Sequence, residues 1–153
     1  MRKRIKPPKK TLLNHKISET RRKNMQAVKS KGTLMEVAFA KALWSKGYRF
    51  RKNVNDIFGK PDIAIKKYKI AIFLDSEFWH GKNWKRKKHE HKSNIEFWHR
   101  KIERNIQRDK EVNRELRKQG WIIKRFWEKQ IKNDLETCII ITEEFINENK
   151  KKK

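Results

Sequence analysis

Two aspartates and a histidine stand close together in a chain that is otherwise strongly cationic. Asp62 ends the run Gly59-Lys60-Pro61-Asp62, and Asp75 and His80 bracket Asp75-Ser76-Glu77-Phe78-Trp79-His80. Hydrolysis of a phosphodiester requires something that binds a phosphate oxygen, activates water and stabilises developing charge, work suited to a divalent metal. Magnesium prefers oxygen ligands and accepts one or two carboxylates plus waters. Asp62 and Asp75 meet that need. His80, with a reference pKa of about 6.5, suits a general acid or base. The bland alternative is that Asp62 caps a turn after Pro61 and Asp75 closes a strand. Two carboxylates on one face beside a histidine favour the nuclease reading.

Composition points to the same substrate. Lys+Arg number 43 against 18 Asp+Glu in 153 residues, a net charge of +25. That excess implies a polyanionic partner, here double-stranded DNA. No apolar run approaches the roughly 18 residues of a spanning helix. The first ten residues lack the apolar core of a secretion signal, so a cytoplasmic, nucleoid-associated location is expected. The single cysteine, Cys138, excludes a disulfide framework and argues against a thiolate zinc cluster. Six Trp and eight Phe leave aromatics for stacking on bases. His89 and His91 fall in a Lys-rich stretch and read as solvated.

The elements that must position the site follow from periodicity. Residues 1–17 read as a flexible basic arm, 18–148 as a single domain and 149–153 as a basic tail. A short helix is expected from Ser18 to about Lys29, broken by Gly32. Thr33-Leu34-Met35-Glu36 resembles a capping box, which by itself accounts for Glu36. The helix it opens carries Met35, Phe39, Ala42 and Leu43 on its apolar stripe and ends at Gly47. Tyr48–Val54 reads as a strand and residues 56–61 as a turn. Asp62–Ile65 and Ile70–Asp75 form a hairpin over Lys66–Lys69.

Parity within that hairpin is informative. Ile63 and Ile65 share one face, as do Ile70, Ile72 and Leu74. Matching those faces requires paired residue numbers with an odd sum, because a one-residue slip reverses every side chain. Asp62 and Asp75 then point to the same side at the same open end. They are roughly 5 Å apart if directly opposite, or about 7–8 Å apart on the diagonal. Residues 81–94 read as a Lys-rich loop. Glu96–Gln119 is a long helix with Trp98, Ile102, Ile106, Asp109, Val112 and Leu116 inward, stopped by Gly120. Asp109 is odd on an apolar stripe, and Asn105 precedes it by four residues on nearly the same face. A strand over Trp121–Trp127 and a helix from Asp134 to about Asn147 complete an α/β sheet flanked by helices. Phe78 and Trp79 are adjacent in a loop and cannot both bury on one regular face. Together with Trp98 they are candidate wedges between base pairs.

These motifs, in this order, resemble the very-short-patch mismatch-repair endonucleases of the Vsr type, within the PD-(D/E)xK superfamily. The resemblance spans about residues 18–130. It runs through Thr20-Arg21-Arg22-Lys23-Asn24-Met25, Thr33 with Glu36, Gly59-Lys60-Pro61-Asp62, Phe78-Trp79-His80, Glu96-Phe97-Trp98, Asn105 with Arg108-Asp109, and Gly120-Trp121. It implies a restriction-endonuclease-like core with a mixed central sheet, acting as a monomer that nicks duplex DNA beside T:G mismatches. Asp62 would bind Mg²⁺, with Mn²⁺ able to substitute, and the Leu74 carbonyl would be a second ligand. Asp75 stands where better-known members carry a histidine near the metal, so it would add a carboxylate. His80 and Glu36 would act around the attacking water or the scissile phosphate, supported by Asp109.

On the DNA side, Phe78, Trp79 and Trp98 match wedging aromatics, and Met25 a residue inserted from the N-terminal helix. Arg21, Asn24 and Asn105 would also contact DNA. The family's structural zinc is not expected, because Glu77, Lys82, Trp84 and Lys129 occupy its ligand positions. Packing around Trp84 or a salt bridge from Glu77 would replace it. A related nuclease with another DNA target, a non-catalytic DNA binder and a protein that recruits the enzyme all stay compatible with the residues alone.

Overall fold

The computed structural model describes residues 32–90 and 94–151. The helix expected from Ser18, and with it Arg21, Asn24 and Met25, lies outside the described residues, as does His91. Residues Leu34–Lys153 form one compact unit.

The chain runs α1 (Leu34–Ser45), β1 (Arg51–Lys52), β2 (Ile63–Ile65), a 3₁₀ turn (Lys66–Tyr68) and β3 (Ile70–Asp75). It continues through α2 (Trp84–Lys87), a second 3₁₀ turn (Lys88–Glu90), α3 (Ile95–Lys118), β4 (Ile122–Trp127), α4 (Glu128–Asn133) and α5 (Leu135–Lys150). The four strands lie in the order β1-β2-β3-β4. β1–β2 and β2–β3 are antiparallel, and β3–β4 is parallel. The sheet is therefore mixed, and its parallel pair is joined by the long crossover helix α3 that such a connection needs.

Alternation along the strands builds two apolar layers. Ile63, Ile65, Ile70, Ile72, Leu74 and Phe126 face α1 and α5, where they meet Phe39, Leu43, Cys138, Ile139 and Ile146. Ala64, Ala71 and Phe73 face α3, where they meet Val112 and Leu116. β3 is buried along its whole length, as expected of a strand covered on both faces. Small residues on the α3 side let that helix approach closely. At Gly59 (φ 79°) an added Cβ would come within 2.3 Å of Val112 Cγ1, so the turn leading to Asp62 fits under α3 only as glycine.

The hairpin register is the odd one, with Ile63 opposite Ile72 and Ile65 opposite Ile70. Its connection, which contains neither Gly nor Asn, is closed by Lys69 in the left-handed conformation (φ 50°). Helix α4 stands where no element was expected, and three more elements differ from expectation. The strand expected over Tyr48–Val54 shrinks to Arg51–Lys52, because Asn53 turns left-handed (φ 49°). Its neighbours instead donate Asn53 N–H to the Asp62 carbonyl (2.9 Å) and Val54 N–H to the Pro61 carbonyl (3.2 Å). The Lys-rich loop holds the short helix α2, anchored where the Trp84 ring meets His99 edge-on at 5.1 Å. The last helix, capped by Asp134 Oδ1 accepting from Thr137 N–H (3.0 Å), runs to Lys150. Asn149 is thus buried within it rather than opening a tail.

Candidate active site

Asp62 lies one residue before β2, at the open end of the hairpin. Extending the observed register places it opposite Phe73, so Asp75 is its diagonal neighbour on the same side. Asp62 Oδ2 accepts a hydrogen bond from Leu74 N–H at 2.8 Å. In an extended strand the N–H and C=O of one residue project to the same edge. The Leu74 carbonyl therefore opens toward Asp62, beyond the last β2 pairing. Burial, helped by the charges of Glu36 and Asp75, raises the Asp62 carboxyl to about 6 against the pull of the Leu74 hydrogen bond and the His80 charge. Glu36, in the first turn of α1, is thus close enough to act electrostatically on Asp62.

The other polar groups form a closed network. His80 follows β3 in a turn held by His80 N–H donating to the Ser76 carbonyl (3.1 Å). Its Nδ1 lies 2.6 Å from Asp109 Oδ2 and 3.7 Å from Asp75 Oδ1. Burial alone would depress its pKa, but the Asp109 hydrogen bond and the charges of Asp75 and Asp109 outweigh that, while Arg125 opposes them. The net shift is upward, which favours the imidazolium. With Nδ1 committed to Asp109, Nε2 is the ring nitrogen left for a substrate.

Asp75, only 4% exposed, is engaged by a residue that sequence reasoning missed. Arg125 of β4 places Nη1 at 2.8 Å from Asp75 Oδ2 and 3.4 Å from Asp109 Oδ1, and its Nε donates to Asn113 Oδ1 at 3.1 Å. Asn105, Asp109 and Asn113 recur every four residues, making one polar row along α3. Asn105 Nδ2 donates to the Trp79 carbonyl at 2.9 Å, so it also braces the turn.

That turn carries the aromatics. Phe78 and Trp79 meet edge-on at 5.0 Å, and Trp98 closes the group at 5.5 and 5.9 Å. Phe78 is 45% exposed and Phe97, beside Trp98, 52%. Lys101 lies over the Trp79 ring at 4.8 Å, giving this face positive charge. Gly81 (φ 63°) seats the turn on α3, where a Cβ would meet Ile106 Cδ1 at 2.6 Å.

Among the described residues no three His, Cys, Asp or Glu side chains converge as a complete metal ligand set. Magnesium does not require one, since waters and substrate phosphates fill most of its sphere. Asp62 and the Leu74 carbonyl form an oxygen-only pair at a carboxylate crowded by other negative charge, which fits such an ion. The positions corresponding to a zinc cluster do not fit zinc. Glu77 Oε1 lies 3.6 Å from Lys82 Nζ and accepts from Lys129 N–H at 3.1 Å. Lys82 sits over the Trp127 ring, and Trp84 Nε1 donates to Glu103. Ammonium groups are not zinc ligands, and Glu77 is already engaged by Lys82 and the Lys129 N–H.

A mixed sheet with acidic groups at one strand end, enclosed by a basic surface, is the architecture of a restriction-endonuclease-like DNA endonuclease. Residues 15–86 match the family model described as DNA mismatch endonuclease Vsr. The type II nicking enzyme V.NmeDIP of Neisseria meningitidis serogroup C is 54% identical over 120 residues, covering 78% of this chain and 81% of that protein. V.HpaIIP of Haemophilus parainfluenzae, also a type II nicking enzyme, is 54% identical over 114 residues, 74% and 81% of the two chains. The DNA mismatch endonuclease Vsr of Escherichia coli K12 is 32% identical over 116 residues, 71% and 69%. The chain belongs to the Vsr family of DNA endonucleases. Among the described residues no helix is long and apolar enough to cross a membrane.

Proposed function

We propose that this chain is a Mg²⁺-dependent endonuclease that nicks one strand of duplex DNA at T:G mismatches, acting as a monomer in very-short-patch repair. The observation that carries the reading is Asp62, its carboxyl pushed up to about 6 and bonded to Leu74 N–H at the mouth of the sheet. A carboxylate so placed gains by binding a cation. Mg²⁺, or Mn²⁺ in its place, would be held by Asp62 and the Leu74 carbonyl and would supply charge for the scissile phosphate and acidity to a bound water.

The chain's own groups supply the rest. His80, held at Nδ1 by Asp109, offers Nε2 to move a proton at the attacking water or leaving oxygen. Glu36 adds negative charge on the side of Asp62. Phe78, Trp79 and Trp98 form a partly exposed edge that can enter a weakened base step, with Asn105 fixing the turn that carries it. The relatives' names, nicking enzymes and a mismatch endonuclease, support single-strand cleavage and a mismatched substrate.

The test is a panel of otherwise identical duplexes carrying T:G, T:A or C:G at one position, incubated with Mg²⁺ or with EDTA. Nicking confined to the T:G duplex and abolished by EDTA is expected. Equal nicking of the paired duplexes would remove the mismatch specificity, and undiminished nicking in EDTA would remove the metal.

A further inference from the structure

Arg125 is the least expected member of the site. It sits on the α3-facing side of β4, directly beside Phe73 in the parallel register, and its guanidinium stacks on the Phe73 ring at 4.2 Å. That stack fixes the plane of the fork. Within it, Nη1 is shared by Asp75 and Asp109 and Nε is taken by Asn113. Nη2 is buried with no hydrogen-bond partner among the described residues. A buried donor left unpaired is a net cost, so this arrangement is poorly explained as a device for stability. It is better explained by what the other donors hold.

We infer that Arg125 is a positioning residue whose guanidinium keeps Asp75 out of the metal's coordination sphere and fixes Asp109 behind His80, so that of the two aspartates at the hairpin mouth it is Asp62 that is offered to the cation. The inference rests on the proposed cation at Asp62. Asp75 has the right position for a ligand, on the same side as Asp62 and on its diagonal. It also has the right chemistry, since magnesium accepts one or two carboxylates. What sets it apart from Asp62 is its pairing with a cation: Oδ2 accepts from Arg125 Nη1 at 2.8 Å, and Oδ1 faces the His80 ring at 3.7 Å. Arg125 thus provides a permanent positive charge where a second carboxylate would otherwise join the metal. By touching Asp109 as well, it sets the acceptor that orients His80. A lysine would keep the charge but lose the planar stack and the second donor to Asn113.

The test measures Mn²⁺ binding to the full-length, DNA-free protein by the electron paramagnetic resonance signal of free Mn²⁺, alongside nicking kinetics. Asp62→Asn is the control and should abolish binding; wild-type affinity in that variant would sink the cation site itself, separately from the role of Arg125. Asp75→Asn should leave Mn²⁺ affinity within roughly threefold, because an arginine-paired carboxylate outside the sphere contributes little. A loss of tenfold or more would make Asp75 a ligand and overturn the inference. Arg125→Met should tighten Mn²⁺ binding about tenfold as Asp75 is released, while kcat falls about 100-fold and KM for DNA changes less than about threefold. Adding Asp75→Asn to it should return Mn²⁺ affinity to the wild-type value. Unchanged affinity in a folded Arg125→Met protein would overturn the inference. If that variant does not fold, Arg125→Lys decides: kcat about tenfold down at unchanged Mn²⁺ affinity is expected, and full kcat would overturn the positioning role.

Discussion

The turn after β3 separates two regions built on opposite principles. On one side, Asp75, Asp109, His80 and Arg125 are locked together, with Asp75 4% exposed and His80 Nδ1 2.6 Å from Asp109 Oδ2. On the other, Phe78 and Phe97 are about half exposed, and the rings touch only edge-on. The polar centre is arranged before substrate arrives, where low dielectric strengthens each charge pair. The aromatic face keeps apolar surface in water, a cost that DNA can relieve. The proposed function places chemistry on the rigid side and discrimination on the exposed side, and each can be attacked separately.

The largest expected effect lies in the centre. Asp62→Asn should lower nicking at least about 10³-fold in kcat, because it removes the carboxylate proposed to hold the cation. Affinity for duplex DNA, measured by fluorescence anisotropy without metal, should change less than about threefold, since one charge is lost against a surplus of +25. Near-normal Mg²⁺-dependent cleavage by this variant would break the division of labour. Asp109→Asn comes next, at about 10²-fold in kcat with little change in KM, the usual scale for disabling an acid–base group. An unchanged kcat would detach His80 from the chemistry.

The centre also leaves a mark on stability without metal. Asp62 holds its proton up to about 6 in the folded protein, against 3.8 ordinarily. The folded state therefore binds more protons across that window, so the contribution is present below it and is lost as pH rises through about 6. His80, also raised, acts in the same direction at higher pH. Asp62→Asn should consequently stabilise the metal-free protein by about 1–2 kcal/mol more at pH 7.5 than at pH 4, after discounting for partial exposure. Urea denaturation at the two pH values measures this, and a pH-independent difference would contradict the buried-carboxylate account.

On the aromatic side, Trp79→Ala should reduce the preference for T:G over paired DNA about tenfold while general affinity falls less. A wedge spends unstacking energy of about a few kcal/mol per step, and less at a mismatch, so it acts on the difference between duplexes. Lys101 and the other cations act on both alike. A folded variant with full preference would move recognition to Phe78, Trp98 or beyond.

The rigid centre was only half legible in the sequence, and the reason is physical. Alternation of Ile63, Ile65, Ile70 and Ile72 dictated the odd hairpin register, and with it the common side of Asp62 and Asp75. Asp109 betrayed itself as an acid on an apolar stripe. Arg125 did not, because its partner Asp75 is fifty residues away and is reached only through the parallel β3–β4 pairing. In the sequence, Lys124-Arg125 is one more basic pair in a basic chain. Asn113 was hidden for the same reason, although it continues the four-residue spacing of Asn105 and Asp109. The shortening of β1 and the presence of helix α2 were not legible, because each is decided by an asparagine in the left-handed conformation, Asn53 and Asn83. Periodicity does not report that choice.

The smallest effect concerns how the turn between the two regions is tied down. Glu77 leaves the turn toward α4, where Oε1 accepts from Lys129 N–H at 3.1 Å and faces Lys82 Nζ at 3.6 Å. The two contacts carry different weights. A partly exposed ion pair contributes about 0–1 kcal/mol, whereas a backbone N–H bonded to a charged acceptor contributes about 1.5–3 kcal/mol when buried and less here. Glu77→Gln keeps an acceptor for Lys129 N–H and should cost about 0.5 kcal/mol or less. Glu77→Ala removes both contacts and should cost about 1 kcal/mol, a few degrees in Tm. Both variants should keep kcat with saturating Mg²⁺, because neither contact reaches Asp62 or His80. EDTA should not lower Tm of the DNA-free protein beyond the small effect of removing the Asp62 cation, since an ion pair occupies the position of a zinc cluster. A Tm collapse in EDTA, or an Ala variant no less stable than the Gln variant, would show that something other than Glu77 ties this turn to α4.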